Sequence, residues 1–211
     1  MRNVTLLAFL LFITTSLHAK QKFGLDLGVG VKGGLNVNRM TGKGWTQAYH
    51  TDPLVGFFAH LNKRHFGIQV EALWNTNTVV SDSSFRRLYQ QYYNNVIDSL
   101  EEGRFRFSMI SIPILLNIKL TQKVWLQLGP QFMGNVSMTD KNHLLKSGVR
   151  IIESKNMTMV GGLWYQFGGE APLIRVNAGL RFVSGINNMN HIYESSVWKS
   201  QMIQLHLGLS Y

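Results

Sequence analysis

The chain has 211 residues, with 21 lysines and arginines against 11 acidic residues and no cysteine. This length suits one domain, and the lack of cysteine excludes disulfide-stapled folds, thiolate metal sites and cysteine nucleophiles. The net charge of +10 is scattered along the chain and not gathered in one stripe with stacking aromatic residues, so it does not indicate nucleic-acid binding. An anionic membrane surface or lipopolysaccharide is the partner that this charge favours.

The first 19 residues have the pattern of a secretory signal peptide. Arg2 is followed by an uncharged run from Val4 to Thr15, and the small residue Ala19 precedes Lys20. The run is shorter than the about 20 residues of a spanning helix, which argues against a membrane anchor. We therefore predict a signal peptide at residues 1–19 and an exported domain at residues 20–211.

Eight segments of the exported part alternate between apolar and polar residues. Strict alternation is typical of β-strands, because successive side chains leave a strand on opposite sides. The first segment, FGLDLGVGVKGGLNVN at residues 23–38, has apolar residues or glycine at its odd positions and glycine, charged or amide residues at most even ones. The later segments begin near Val55, Phe66, Phe105, Val124, Met157, Ile174 and Ile203.

The connections between these segments are long and short in turn. Long loops predicted at residues 39–51, 81–103, 137–156 and 186–198 alternate with short turns near residues 62–65, 121–123 and 168–172. An antiparallel meander with this rhythm puts all turns at one end and all loops at the other, as outer-membrane barrels do.

The fourth segment changes its apolar phase part-way along. Phe105, Phe107 and Met109 occupy odd positions, whereas the apolar residues from Ile110 to Ile118 lie mainly at even positions. If every apolar residue faces the same side, one extra residue must be accommodated near Met109. We therefore predict a β-bulge there.

Alternation alone fits both a soluble ligand-binding barrel, with its apolar face inside, and an outer-membrane barrel, with that face toward lipid. Apolar-phase aromatic residues such as Phe66, Trp74 and Phe105 lie near segment ends, as in the interfacial girdles of membrane barrels. Glycines on the polar face of the first segment would make room for Lys32 and for arginines opposite, inside a narrow barrel. Tyr211 ends an alternating strand and resembles the C-terminal signal read by the outer-membrane insertion machinery.

These features predict an all-β fold. We expect an eight-stranded antiparallel up-and-down transmembrane β-barrel in the outer membrane. Short periplasmic turns, long extracellular loops and two periplasmic termini complete this prediction.

Four segments resemble a known family. They are GVKGGLNVN (residues 30–38), ISIPILLNIKL (110–120), LGPQFMGNV (128–136) and LRFVSGINNM (180–189), in this order. Together they resemble the PorT-like outer-membrane β-barrel domain of the Bacteroidota. The resemblance implies the barrel fold and the outer-membrane location and, through the family's namesake, an association with type IX protein secretion.

Five charged residues fall on the polar, inward phase of their segments: Asp26, Lys32, Glu71, Arg175 and Arg181. Buried charges persist only when they are paired, so we predict an interior salt-bridge network in which the cations bridge the two acids. The functional alternative is an anion-conducting or gated pore, but an eight-stranded barrel is normally filled by side chains.

Histidines on the inward phase raise the question of catalysis. His206 and Ser210 lie four residues apart on the last segment, and His60 lies inward on the second. A lipid-modifying triad would need a shaped acyl pocket beside the serine, which here lies next to the end of the chain. We predict no catalytic residues, no metal site and no cofactor.

The second loop contains a helical pattern. In DSSFRRLYQQYYNNVIDSLEEGRF (residues 82–105), apolar residues recur every three or four positions, with Ser83 or Ser84 as N-cap and Gly103 beyond the C-terminus. One hypothesis folds this helix over the barrel mouth. The other makes it a docking surface for another envelope protein or a glycan, anchored by Phe85, Arg86, Arg87, Tyr89 and Tyr92.

The combined prediction is a non-enzymatic component of the cell envelope. Its partners would be outer-membrane lipid and lipopolysaccharide, the insertion machinery during assembly, and another envelope protein. The alternatives are a lipid-modifying outer-membrane enzyme and a soluble ligand-binding barrel.

Overall fold

The computed structural model of the chain describes residues 25–92, 102–147, 149–168, 174–192 and 196–211. The predicted signal peptide lies outside these residues. Within them, no helix has the length and apolar character needed to cross a membrane. The strands are β1 (Leu25–Thr41), β2 (His50–Lys63), β3 (Phe66–Val80), β4 (Arg104–Lys119), β5 (Val124–Asp140), β6 (Lys155–Gln166), β7 (Arg175–Gly185) and β8 (Lys199–Ser210). A helix, α1 (Ser83–Tyr89), and a 3₁₀ turn (Gln90–Tyr92) follow β3.

The eight strands form one closed antiparallel barrel. Each strand pairs with its neighbours in chain order, and β1 pairs with β8 to close the wall, for example at Val31 and Leu209. The predicted fold class is therefore confirmed. We call the end that carries the β2–β3, β4–β5 and β6–β7 connections the turn end, and the opposite end the loop end.

The apolar face of the wall points outward. In β3, Phe66, Val70 and Trp74 are 61%, 44% and 62% exposed, whereas Gln69 and Glu71 between them are 1% and 2% exposed. The same alternation recurs around the barrel, so the outside carries a continuous band of exposed apolar side chains. A soluble barrel would have the opposite order, and a barrel surrounded by lipid has this one.

The outer surface changes polarity near the loop end. In β4, the outward positions are apolar from Leu116 to Ile110, and then polar at Ser108, Arg106 and Arg104. The inward positions change in the opposite sense, from Asn117 and Ser111 to apolar residues. The apolar band on β4 therefore ends between Ile110 and Ser108, and beyond it β4 is polar outside and apolar inside.

The predicted phase change in β4 is wrong. Phe105, Phe107 and Met109 are at most 1% exposed and continue the inward phase of the strand, so Phe105 does not belong to an outward aromatic girdle. The sheet register does shift between Ser108 and Met109, but the extra residue is Val136 on β5. Along β4, each residue keeps its inward or outward direction, but the medium outside the barrel changes. The apolar residues are therefore outside in one part of the strand and inside in the other.

Inward glycines allow the strands to sit close to large side chains. A Cβ atom at Gly34 would overlap the Leu205 carbonyl, and a Cβ atom at Gly28 or Gly179 would overlap the ring of His60 or His206. Arg181 gains space in the same way from Gly162. The glycines of β1 therefore make room for His60, His206 and Phe58, and not for Lys32 as the sequence suggested.

Two prolines interrupt the hydrogen-bond ladders on both sides of β4. Pairing between β3 and β4 is broken between Val70–Ile114 and Leu73–Ser111, opposite Pro113. Pairing between β4 and β5 is broken between Pro113–Gln131 and Leu116–Leu128, where Pro130 lies. Proline has no N–H group to donate, so each one removes a ladder bond in the middle of the wall.

Candidate functional site

The centre of the lumen holds a three-ion cluster formed by side chains from three strands. The Glu71 carboxylate on β3 accepts Lys32 Nζ of β1 at 2.6 Å and two guanidinium nitrogens of Arg181 of β7 at 2.7 and 2.8 Å. These three side chains are at most 2% exposed. Because β1, β3 and β7 lie on different sides of the barrel, the cluster ties the wall together across the lumen.

Amide side chains extend this cluster toward the turn end. Gln127 accepts Arg181 Nη2 at 2.6 Å and donates to the side-chain oxygens of Asn117 at 2.9 Å and Gln69 at 3.1 Å. Gln69 also donates to Glu71, and Asn117 donates to Asn62 at 3.2 Å. The ions are therefore embedded in a network of hydrogen bonds, which is the condition under which buried charges are tolerated.

A second ion pair lies near the turn end. Arg175 donates to both carboxylate oxygens of Asp26 at 2.7 and 2.8 Å, and His60 Nε2 lies 3.7 Å from the same carboxylate. The structure thus divides the five charged residues singled out in the sequence into two clusters. Glu71 gathers Lys32 and Arg181, and Asp26 takes Arg175.

A third polar cluster, which was not predicted from the sequence, surrounds Asp52. Its carboxylate accepts the Thr78 backbone N–H at 2.6 Å, the Thr78 hydroxyl at 2.9 Å and the Asn38 amide at 3.0 Å, and Arg106 lies 3.9 Å away. Asp52 occupies the same inward phase of β2 as His60. That phase was a usable signal, but the second segment was expected to begin only near Val55, and the strand begins at His50.

An apolar cluster closes the loop end of the lumen. Its members, which we call the mouth cluster, are at most 2% exposed: Trp45, Phe85, Tyr89, Phe105, Phe107, Leu144, Ile151, Ile152, Met189 and Trp198. The Trp45 ring packs edge-on against Trp198 with centroids 4.9 Å apart. Asn190 donates to the Tyr89 hydroxyl at 2.8 Å, and Trp198 Nε1 donates to the Lys43 carbonyl at 3.0 Å. Most of these residues come from loops without periodicity, so no local pattern indicates that they meet.

Helix α1 contributes its apolar side to the mouth cluster. It begins after Asp82, whose side chain accepts the backbone N–H groups of Ser84 and Phe85, so the predicted N-cap at Ser83 or Ser84 is displaced by one or two residues. Phe85 and Tyr89 are fully buried and cannot anchor a partner in this arrangement, whereas Arg87 is exposed and Arg86 and Tyr92 are half-buried. The later part of the predicted helix lies outside the described residues.

The residues weighed for catalysis do not form a triad. His206 and Ser210 both face inward, but neither ring nitrogen of His206 has a hydrogen-bond partner among the described side chains. Across the described ranges, no three histidine, aspartate or glutamate side chains are grouped as a metal site would require. Tyr211 lies at the turn end, 40% exposed, and its backbone N–H donates to the Val29 carbonyl at 2.9 Å.

A closed antiparallel barrel with an apolar outer band and a hydrogen-bonded polar lumen is an integral outer-membrane β-barrel protein. Residues 19–191 match the family described as "Outer membrane protein beta-barrel domain", and the chain belongs to that family. The outer membrane is therefore its location.

Several solved outer-membrane proteins align with this chain at low sequence identity. OprG of Pseudomonas aeruginosa aligns with 11% identity and a TM-score of 0.49, covering 87% of this chain and 95% of that one. Neisserial surface protein A aligns with 12% identity and a TM-score of 0.46, covering 88% and 97%. Ail of Yersinia pestis, solved with the heparin analogue sucrose octasulfate, aligns with 10% identity and a TM-score of 0.44, covering 88% and 99%. No curated protein sequence matches the chain.

Proposed function

We propose that this protein is a closed, non-enzymatic barrel that acts as a structural or interaction component of the outer membrane. The observation that supports this most is the double closure of the lumen. The three-ion cluster crosses its centre, and the mouth cluster fills its loop end. A barrel blocked at two levels offers its outer wall and its loops, and not its interior, to other molecules.

Conductance tests the closure directly. Purified protein inserted into a planar lipid bilayer should give no single-channel steps, while an open porin in the same membrane gives steps as a positive control. Steps from the unmodified barrel would contradict the proposal and favour the anion-conducting pore, because the three-ion cluster contains two cations and one carboxylate.

We place the turn end and both termini in the periplasm and the loops outside the cell. The shorter connections at one end, among them the two residues Arg64–His65, and the long loops at the other end support this orientation. The chain has no cysteine, so single introduced cysteines can show on which side of the membrane each end of the barrel lies. In intact cells, a membrane-impermeant maleimide should label Lys141→Cys in a loop and leave Gln122→Cys in a turn unlabelled. The reverse pattern would invert the orientation.

The absence of catalysis has its own test. If His206 acted on lipid, His206→Ala would abolish a change in lipid A acylation while the barrel still assembled. We expect lipid A mass spectra to be identical for the unmodified strain, a deletion strain and the His206→Ala strain. A mass shift that depends on His206 would identify an enzyme.

We further assign the protein a place beside the type IX secretion apparatus, with an envelope protein as its partner. This assignment is supported by the resemblance of four segments to PorT-like barrels and by the exposed part of the second loop, where Arg86, Arg87 and Tyr92 remain accessible at least in part. Crosslinking in intact cells should recover a component of that apparatus, and the joint change of Arg86 and Arg87 to Ser should remove it. Normal secretion in a deletion strain would refute the assignment.

We assign Tyr211 the role of assembly signal. Its exposed ring at the end of β8 is the feature that supports this role. Tyr211→Ser should lower the amount of protein inserted in the outer membrane, and Tyr211→Phe should not. Equal insertion of both variants would refute this role.

A further inference from the structure

A groove of about 380 Å³ lies on the outside of the wall, across β4, β5 and β6. Its apolar lining includes Ile110, Ile112, Phe132 and Met157, each at least 37% exposed. Lys155, Asn156 and Asn187 line it on the side of the loop end. The groove therefore joins an apolar slot within the band to a cation at the edge of the band.

Gly134 leaves this groove open. It pairs with Ile110 on one side and Lys155 on the other. A Cβ atom built there would meet only the Ile110 carbonyl oxygen, at 4.0 Å, whereas a Cβ atom at the inward Gly34 would overlap backbone. Crowding therefore does not require glycine at position 134, and a larger side chain would occupy the groove.

The loop end of the groove is cationic. No acidic side chain of the described residues pairs with exposed Lys155. Glu153, two positions earlier, is held by His191 at 2.9 Å. Arg150 donates to the Ser154 hydroxyl at 2.9 Å, which brings a second cation beside the residue that precedes Lys155.

We propose that this groove is a binding site for lipid A, the membrane anchor of lipopolysaccharide. A lipid A phosphate accepts charge-assisted hydrogen bonds from Lys155, and one acyl chain packs between Ile110, Phe132 and Met157. The choice of lipid A rests on the proposed orientation, because the loop end then faces the outer leaflet, where lipopolysaccharide lies. A phosphate and an acyl chain on one molecule match the two parts of the groove.

A second outer groove supplies the control. It measures about 480 Å³ and is lined by Val31, Val55, Phe57, Ala72 and Trp74, among others. Lys32 also contributes to it, but the Lys32 ammonium points into the lumen and binds Glu71. This groove is apolar without an available cation, so it should hold acyl chains of any lipid without preference for phosphate.

The test compares four variants of the full barrel, refolded in detergent and titrated with purified bisphosphorylated lipid A while native mass spectra count bound lipid. Lys155→Met removes the cation, and Gly134→Leu fills the groove. Lys199→Met removes an exposed cation on β8, and Ala72→Leu fills the second groove. We expect binding to weaken about tenfold in the first two variants and to stay within about twofold in the controls.

Three outcomes would overturn the site. The first is equal weakening by Lys155→Met and Lys199→Met, and the second is equal weakening by Gly134→Leu and Ala72→Leu. The third is phosphatidylglycerol binding as tightly as lipid A. If Gly134→Leu does not give the heat-modifiable band of a folded barrel, Gly134→Ala with Lys155→Gln replaces it, and unchanged lipid A binding by that pair also overturns the site.

Conductance of the same preparations keeps this result separate from the proposed function, since a closed barrel without lipid A preference overturns the site alone.

Discussion

The spanning part of β4 and its loop end are built with opposite polarity. From the turn end to Ile110, β4 presents isoleucine and leucine outside, while serine and asparagine are among the residues it places inside. From Ser108 onward it presents arginine outside and phenylalanine inside. Both parts belong to one strand with one phase, so the difference does not come from the backbone.

The surrounding medium explains this difference. In hydrocarbon, the outer face must be apolar, and the interior can use polar groups because they find partners in one another. In water, the outer face can be charged, and stability must come from apolar burial inside. The loop end of β4 is thus built like a strand of a soluble protein, although it continues a strand of the membrane-spanning wall.

The largest expected effect is the loss of the central carboxylate. Glu71→Gln leaves Lys32 and Arg181 buried without a counter-charge, and we expect it to lower the free energy of unfolding by about 3–5 kcal/mol. Urea unfolding in lipid vesicles measures this. The triple variant with Lys32→Met, Glu71→Leu and Arg181→Met should recover most of the loss. A triple variant as unstable as Glu71→Gln would show that the lumen needs its ions for more than mutual neutralisation.

The next effect tests where the apolar band ends. Val70→Arg, at the middle of the band, should cost about 2–4 kcal/mol, whereas Ser108→Arg, just beyond its edge, should cost about 0–1 kcal/mol. Both positions point outward, so the contrast measures the medium alone. Equal costs in the same unfolding experiment would place the boundary elsewhere.

A smaller effect separates a packed interior from a lipid-facing wall. Ile152→Val in the mouth cluster leaves a cavity and should cost about 0.5–1.5 kcal/mol, seen as faster cleavage of the loops by protease. Ile112→Val makes the same chemical change on the outer face, where lipid refills the space, and should have almost no effect. Equal protease sensitivity of the two variants would argue against a packed mouth.

The smallest effect concerns an interior amide that has no hydrogen-bond partner among the described residues. Neither side-chain atom of Asn177 is hydrogen-bonded to a described residue, so Asn177→Ser should cost less than about 1 kcal/mol. Gln127→Ser is the matched change in the network around Arg181 and should cost about 1–3 kcal/mol. If the two costs are equal, the hydrogen bonds of Gln127 contribute nothing measurable.

The barrel could be predicted from the sequence because alternation, connection lengths and an even strand count are visible without any information on tertiary contacts. The sequence also placed Lys32, Glu71 and Arg181 inside the barrel, because the odd or even position of a residue along a strand determines the side of the sheet on which its side chain lies. It could not say that Glu71 takes both cations and Asp26 takes Arg175, since partners across a lumen depend on the stagger of strands that are distant in the chain.

The same reasoning failed where the medium changed. Reading apolar as outward is correct for the even-numbered residues of β4 from Ile110 to Ile118. It is wrong for Phe105 and Phe107, because beyond the band β4 carries its apolar residues inside. If lipid is assumed to surround the whole strand, this reversal can be explained only by an extra residue, and a β-bulge on β4 is predicted. Trp45 and Trp198 were missed for a related reason, since loop residues that fill a mouth carry no period.

The prolines of β4 and β5 have a mechanical consequence. A closed wall resists shear because every strand is bonded on both sides, and here β4 lacks bonds toward β3 and toward β5 at nearly the same depth. The wall is therefore most compliant around Pro113 and Pro130, and strain from a bilayer that thickens or bends should concentrate there. The two outer grooves flank this strand and share Ile110, so we expect lipid packed in them to support the part of the wall that has the fewest bonds between strands.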